Sequence, residues 1–274
     1  MNKTAKRIMG AMLALTLICG GAYGISTQIK PQEVGAETTS TVKWNGKTPK
    51  YIFMFIGDGM SYPQIQAAQY YNGVEKNGAI NVSEGNYPTQ EKLSFMNFPV
   101  SGTVSTYDST SICPDSASTA TSLSTGEKTL SSVINMDETK TKSYETITEK
   151  LKEQLGYKVG IVTSVNIDHA TPGAYYAHVP ARSQYYDMGL QLVDSDFDYF
   201  AGGKFLSDTS KEVTEQGKTP IAKLAEEKGY KIADTNEEIK SLKSGDEKVI
   251  AICPENEVEE ESGALKYDLD RNRS

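Results

Sequence analysis

Histidine is almost missing from this chain of 274 residues: it carries two, His169 and His178, and none after Arg182. That scarcity leaves little room for a Ser-His-Asp triad, and no Gly-x-Ser-x-Gly pattern is present to place the serine of one. An excess of basic residues is also lacking. The formal charge is −8, which argues against a nucleic-acid partner held through phosphate contacts and leaves no polybasic membrane surface. Repeats, heptads and low-complexity blocks are absent. The apolar run at residues 8–19 is too short to cross a bilayer comfortably.

That run follows Lys3, Lys6 and Arg7, and together they read as a secretory signal over residues 1–36. Two small-residue cleavage sites compete, Ala22-Tyr23-Gly24 and Val34-Gly35-Ala36, and the second is favoured because it ends in alanine. A retained N-terminal anchor is the alternative, and Ile18 before Cys19 speaks against a lipoprotein. The expected location is therefore outside the cytoplasm: extracellular, cell-wall or periplasmic. Export permits a disulfide between Cys113 and Cys253, but sequence alone cannot pair them, and Cys113 is expected to be a small buried residue.

The length suits one large α/β domain or two small ones, and residues 37–274 are read as one. The run Tyr51-Ile52-Phe53-Met54-Phe55-Ile56 predicts a buried parallel strand. It delivers Asp58 between Gly57 and Gly59, where open α/β sheets place ligands; a plain turn aspartate is the other reading. A helix is expected from Ser61, then a surface excursion over residues 72–90, then an alternating strand over residues 100–107.

Cys113-Pro114-Asp115-Ser116-Ala117-Ser118 follows, with Asp115 or Ser116 able to cap a helix that Gly126 stops. A serine at such a start sits among unpaired N–H groups that favour an oxyanion, so Ser116 is a candidate nucleophile; an ordinary capped helix is the alternative. Residues 146–155 read as an amphipathic helix ended by Gly156, with a strand over residues 158–163. Beyond it lie His169-Ala170-Thr171-Pro172, where Thr171 could simply be an N-cap, and Arg182, which could simply be solvated. Further strands are expected at residues 199–203 and 249–252, further helices at 220–228 and 236–242, and a solvated acidic run at 259–261.

Asp58, Ser116, Thr171 and Arg182 all fall at or just beyond strand ends. Carboxylate and hydroxyl groups suit hard cations, and arginine can clamp two phosphate oxygens, so the set suits phosphoryl transfer.

Three blocks then resemble the N-terminal half of bacterial alkaline phosphatases: Phe55 to Met60, Pro114 to Ala117 running on to Gly126, and His169 to Pro172 with Ala177-His178-Val179 and Arg182. The resemblance implies an α/β fold, a mainly parallel sheet with helices on both faces. It implies a phosphomonoesterase with two zinc ions and one magnesium ion, homodimeric when full length. Asp58 would bridge the second zinc and the magnesium, Ser116 would be phosphorylated and touch that zinc, Thr171 would ligate magnesium, and Arg182 would hold the phosphate. His169 is expected in the outer shell of the magnesium, and His178 as a structural residue. The family's later Asp, Glu and His ligands have no counterpart here, so the chain is expected to be C-terminally incomplete and inactive or nearly so. A phosphate-binding remnant without turnover, or a related diesterase or sulfatase-like hydrolase, are the alternatives.

Overall fold

The computed structural model describes residues 47–254 and 265–266. The expected signal over residues 1–36 and the expected acidic run at 259–261 lie outside the described residues. The chain divides into two units between Phe55 and Ile56.

In the first unit, residues 51–55 belong to no strand, and Phe53 and Phe55 are 79% and 87% exposed. This corrects the expectation of a buried parallel strand over 51–56. An apolar run becomes a strand only when neighbouring backbone takes up its N–H and C=O groups and other layers cover its faces.

The second unit starts with the turn at residues 57–60 and helix α1, Tyr62–Asn77. Ser61 and Gln64 form its capping box, and Pro63 stands in the first turn, as the sequence suggests. The helix continues through Gly73 into the predicted excursion. A Cβ on Gly73 would lie 2.0 Å from the carbonyl oxygen of Thr89, so only glycine admits that crossing chain. Residues 100–107 form no strand, and Val104 is 81% exposed, for the same reason as residues 51–55.

From Asp108 onward sequence and structure agree closely. Helix α2, Ser116–Thr125, ends at Gly126, whose φ is 82°. Helix α3, Ile147–Leu155, begins with a capping box of Thr146 and Glu149 and ends at Gly156. Then follow β1 (Gly160–Asn166), α4 (Ala170–Gly173), α5 (Tyr185–Asp194), β2 (Tyr199–Gly203), α6 (Lys211–Thr214), α7 (Ile221–Glu227), β3 (Lys231–Ala233), α8 (Asn236–Ser241) and β4 (Val249–Ile252). Helices α5 and α6 and strand β3 have no counterpart in the sequence reading. The α5 signal was available in Tyr186, Met188, Leu192 and Val193, all buried. Strand β3 is three residues long, below the length at which alternation can be read.

The strands form one parallel sheet in the order β1-β2-β4-β3. The fold class is α/β, as expected. In β4 Val249, Ile250 and Ala251 are all buried although neighbours along a strand point to opposite faces, so both faces of the sheet are covered there. The core centres on Phe200 of β2, with Tyr176 edge-on at 5.5 Å and Phe197 stacked at 6.2 Å. Cys113 and Cys253 form no disulfide with each other, and Cys113 is exposed rather than buried because it lies in the bent approach to α2. Among the described residues no helix is long and apolar enough to cross a membrane.

Candidate active site

Asp58 hangs from a turn closed by the Met60 N–H donating to the Gly57 carbonyl at 3.1 Å. Gly59 in that turn has a φ of +65°, a conformation that disfavours side chains. Ser116 is the first residue of α2, and Thr171 belongs to α4, beyond the end of β1. These three distant segments meet. The Ser116 hydroxyl lies 3.0 and 2.9 Å from the two oxygens of Asp58, and the Thr171 hydroxyl donates to Asp58 Oδ2 at 3.0 Å. Thr171 is therefore not the cap of α4; His169 holds that position, and the threonine side chain is free to reach Asp58.

Arg182 comes to the same place through the residue before the serine. Its Nη1 donates to Asp115 Oδ2 at 3.0 Å, and its backbone N–H donates to the Ser132 carbonyl at 2.7 Å. Asp115 also caps α2, accepting the Ser118 N–H at 3.0 Å. Burial pushes the Asp115 carboxyl up, but the amides of Ser118 and Ser132 and the Arg182 guanidinium outweigh it and leave the group below the usual carboxylate range. An ionised Asp115 fixes the guanidinium from the residue next to Ser116.

His169 stands beside this pair. Its Nε2 lies 3.3 Å from Arg182 Nη2, which can only donate, so Nε2 accepts and Nδ1 carries the proton. Nδ1 is buried with no partner among the described residues. Burial and the neighbouring Arg182 charge hold the imidazole below its ordinary pKa, against the weaker opposing pull of Asp58. All five residues singled out in the sequence thus gather in one place.

Sequence reasoning missed the residues that assemble them. Asn135 is fully buried at a φ of 50°, and its Nδ2 donates to the Ala174 and Ala177 carbonyls at 2.8 and 2.7 Å. Its Oδ1 accepts from Ser124 of α2 at 3.1 Å, and its N–H donates to the Thr121 hydroxyl. One side chain therefore ties the Ser116 helix to the segment that carries Thr171 and Arg182. Asp168 is fully buried as well, accepting the Leu206 and Ser207 N–H groups. Burial raises its carboxyl above the ordinary value, and it fixes the end of β1 directly before His169. An asparagine between apolar residues, or an aspartate inside a candidate motif, gives no pattern from which such bracing could be read.

One carboxylate with two hydroxyls is a set of hard oxygen donors. It fits magnesium, which keeps several waters and takes few protein ligands. It does not fit zinc, whose sites need three protein ligands, commonly with imidazole nitrogen. Among the described residues no three His, Cys, Asp or Glu side chains gather as a metal-holding group.

A family model described as alkaline phosphatase matches residues 49–198, which contain every residue of this cluster. The chain belongs to the alkaline phosphatase family. It is 34% identical over 168 residues to alkaline phosphatase 4 of Drosophila melanogaster, covering 54% of this chain and 27% of that protein. With alkaline phosphatase 4 of Bacillus subtilis it shares 29% identity over 249 residues, covering 87% of this chain and 49% of the relative. The crystal structure of a cold-active alkaline phosphatase from a psychrophilic Shewanella species superposes with a TM-score of 0.59 at 25% identity, covering 79% of this chain and 47% of the other. The chain thus spans about half, or less, of the length of the relatives it matches.

Proposed function

We propose that the cluster is the phosphate-handling half of an alkaline phosphatase site that acts on phosphate monoesters through a phosphoserine at Ser116. The observation that carries this reading is the Ser116 hydroxyl set against both oxygens of Asp58 at the N-terminus of α2, with Arg182 braced alongside by Asp115. In the proposed step Ser116 Oγ bonds to phosphorus while its proton passes toward Asp58, and the ester P–O bond breaks to release the alcohol, whose oxygen takes a proton from water. Water then hydrolyses the phosphoserine. Positive charge stabilises the transferring group: the N–H groups of the helix start and the Arg182 guanidinium face an oxyanion there. His169, kept neutral, adds bulk and a hydrogen-bond acceptor beside Arg182 without competing for the anion.

Asp58 and Thr171 are the groups that would hold a magnesium ion, which supplies charge neutralisation when bound. Zinc does not fit the residues gathered here, since no three His, Cys, Asp or Glu side chains come together among the described residues. The isolated chain is therefore proposed to bind phosphate with little or no turnover. Export through residues 1–36 and dimerisation of a full-length form complete the reading.

The test is p-nitrophenyl phosphate hydrolysis at alkaline pH with added zinc and magnesium, comparing the chain with Ser116→Ala. Equal, near-background rates are expected. Turnover abolished by the substitution would overturn the inactivity of the isolated chain and establish Ser116 as the nucleophile. Turnover that the substitution leaves intact would remove Ser116 from the mechanism.

A further inference from the structure

Asp108 lies outside the three motif blocks, seven positions before Asp115, yet it is 5% exposed and has five hydrogen-bond contacts to its carboxylate, as many as Asp115 itself. Its Oδ1 accepts from the Thr110 and Ser111 amides and the Thr110 hydroxyl at 2.8, 2.7 and 2.9 Å. Its Oδ2 accepts from the hydroxyls of Ser118 in α2 and Ser131, at 2.8 and 2.5 Å. Five donors around one buried carboxylate are a high concentration of polar groups, and they need an explanation.

The two hydroxyls lead to Asp115 by separate routes. Ser118 is fully buried, and its hydroxyl lies between the two aspartates, 2.8 Å from Asp108 Oδ2 and 2.9 Å from Asp115 Oδ1. It has one proton to give. Asp115 Oδ1 is already served by the Ser118 and Ser132 amides, at 3.0 and 3.1 Å, so the hydroxyl proton is best used by Asp108. That bond fixes the rotamer of Ser118 and the first turn of α2.

Ser131 is the second route. It adjoins Ser132, whose φ of 66° is a conformation that a non-glycine residue keeps only when its surroundings enforce it. Ser132 holds Asp115 through its amide and hydroxyl, and its carbonyl accepts the Arg182 N–H. Every bond that fixes Arg182 or its aspartate partner from this side therefore runs through Ser118 or Ser132, and Asp108 braces one directly and the other through Ser131.

We infer that Asp108 is a positioning residue for Arg182, acting through Ser118 and the Ser131–Ser132 turn to set the Asp115 carboxylate that aims the guanidinium. It makes no contact with a phosphate itself. Its charge is what the arrangement uses: burial alone would raise the carboxyl, but the Ser131, Thr110 and Ser118 bonds hold it far below the usual range, so it stays an acceptor at neutral and alkaline pH. The functional value of this brace rests on the phosphate role proposed for Arg182.

The test follows the guanidinium NH2 signals of Arg182 by NMR in the full chain, assigned by their loss in Arg182→Lys. In the wild type the Asp115 bond should slow rotation of the guanidinium and keep separate NH2 signals. Asp108→Asn should speed that rotation about tenfold, the equivalent of losing one charge-assisted bond. The double variant S118A/S131A should do the same while leaving the rest of the amide spectrum in place. Adding D108N to that double variant should add nothing, since both routes are already cut. Unchanged Arg182 signals in S118A/S131A, or a D108N effect undiminished in that background, would overturn the inference. Should D108N fail to fold, the S118A/S131A result decides alone. Inorganic phosphate added to the same samples reads the functional proposal separately: Arg182 signals that respond to the substitutions but not to phosphate would refute the phosphate role and keep the positioning role.

Discussion

Residues 51–56 and strand β4 have the same sequence character and opposite fates. Both are short, apolar and β-prone, yet Phe53 and Phe55 stand in solvent while Ile250 is fully buried. The difference is the company each keeps. Strand β4 pairs with β2 on one edge and β3 on the other, and helices cover it. The run at 51–56 has no strand partner among the described residues. Hydrophobicity makes a strand possible, and only pairing and coverage make it stable.

The comparison predicts where substitutions cost stability. Ile250→Ala should be the most damaging, at about 3–4 kcal/mol in urea unfolding, because it opens a cavity where the sheet is covered on both faces. Asn135→Ala should cost about 2–3 kcal/mol, since it strands the buried Ala174 and Ala177 carbonyls, and loss of the Ser124 contact to α2 should show as faster amide exchange in that helix.

A smaller effect belongs to His178, whose Nε2 meets Glu149 at 2.8 Å and whose Nδ1 faces the Asn135 carbonyl. Burial pushes the imidazole pKa down, but the Glu149 bond and charge outweigh it and raise the value. A group with a raised pKa in the folded state stabilises fully below its unfolded value and loses that contribution as pH rises through the folded one. The melting temperature of the wild type should therefore fall by the equivalent of roughly 1 kcal/mol or less from pH 6 upward, relative to His178→Gln. Equal pH profiles for the two would refute the ion pair. At the other end, Phe53→Ser should change stability by less than about 0.5 kcal/mol, for an exposed side chain has little to lose. A cost like that of Ile250→Ala would show that residues 51–55 are buried in solution.

The legible parts of the molecule follow the same division. Capping boxes, glycine stops and short βα units between residues 116 and 252 are local devices, and helices α2, α3, α7 and α8 and strands β2 and β4 appear within a residue or two of where the sequence puts them. Residues 51–56 and 100–107 depend on partners distant in the chain, and local pattern cannot say whether the partners are there. The same holds for the site. Asp58, Ser116, Thr171, His169 and Arg182 were legible because motif blocks carried them. Asn135, Asp168 and Asp108 were not, because their value lies in hydrogen bonds to residues up to 42 positions away.

Arg182, aimed by Asp115 beside Ser116, is proposed to form a phosphate site within this chain. Titration with inorganic phosphate by calorimetry, for the wild type and for Arg182→Ala, tests it most directly. The account predicts saturable binding by the wild type and a loss of about tenfold or more in affinity in the variant, the worth of one charge-assisted arginine contact. Equal binding by the two proteins, or none by either, would contradict it.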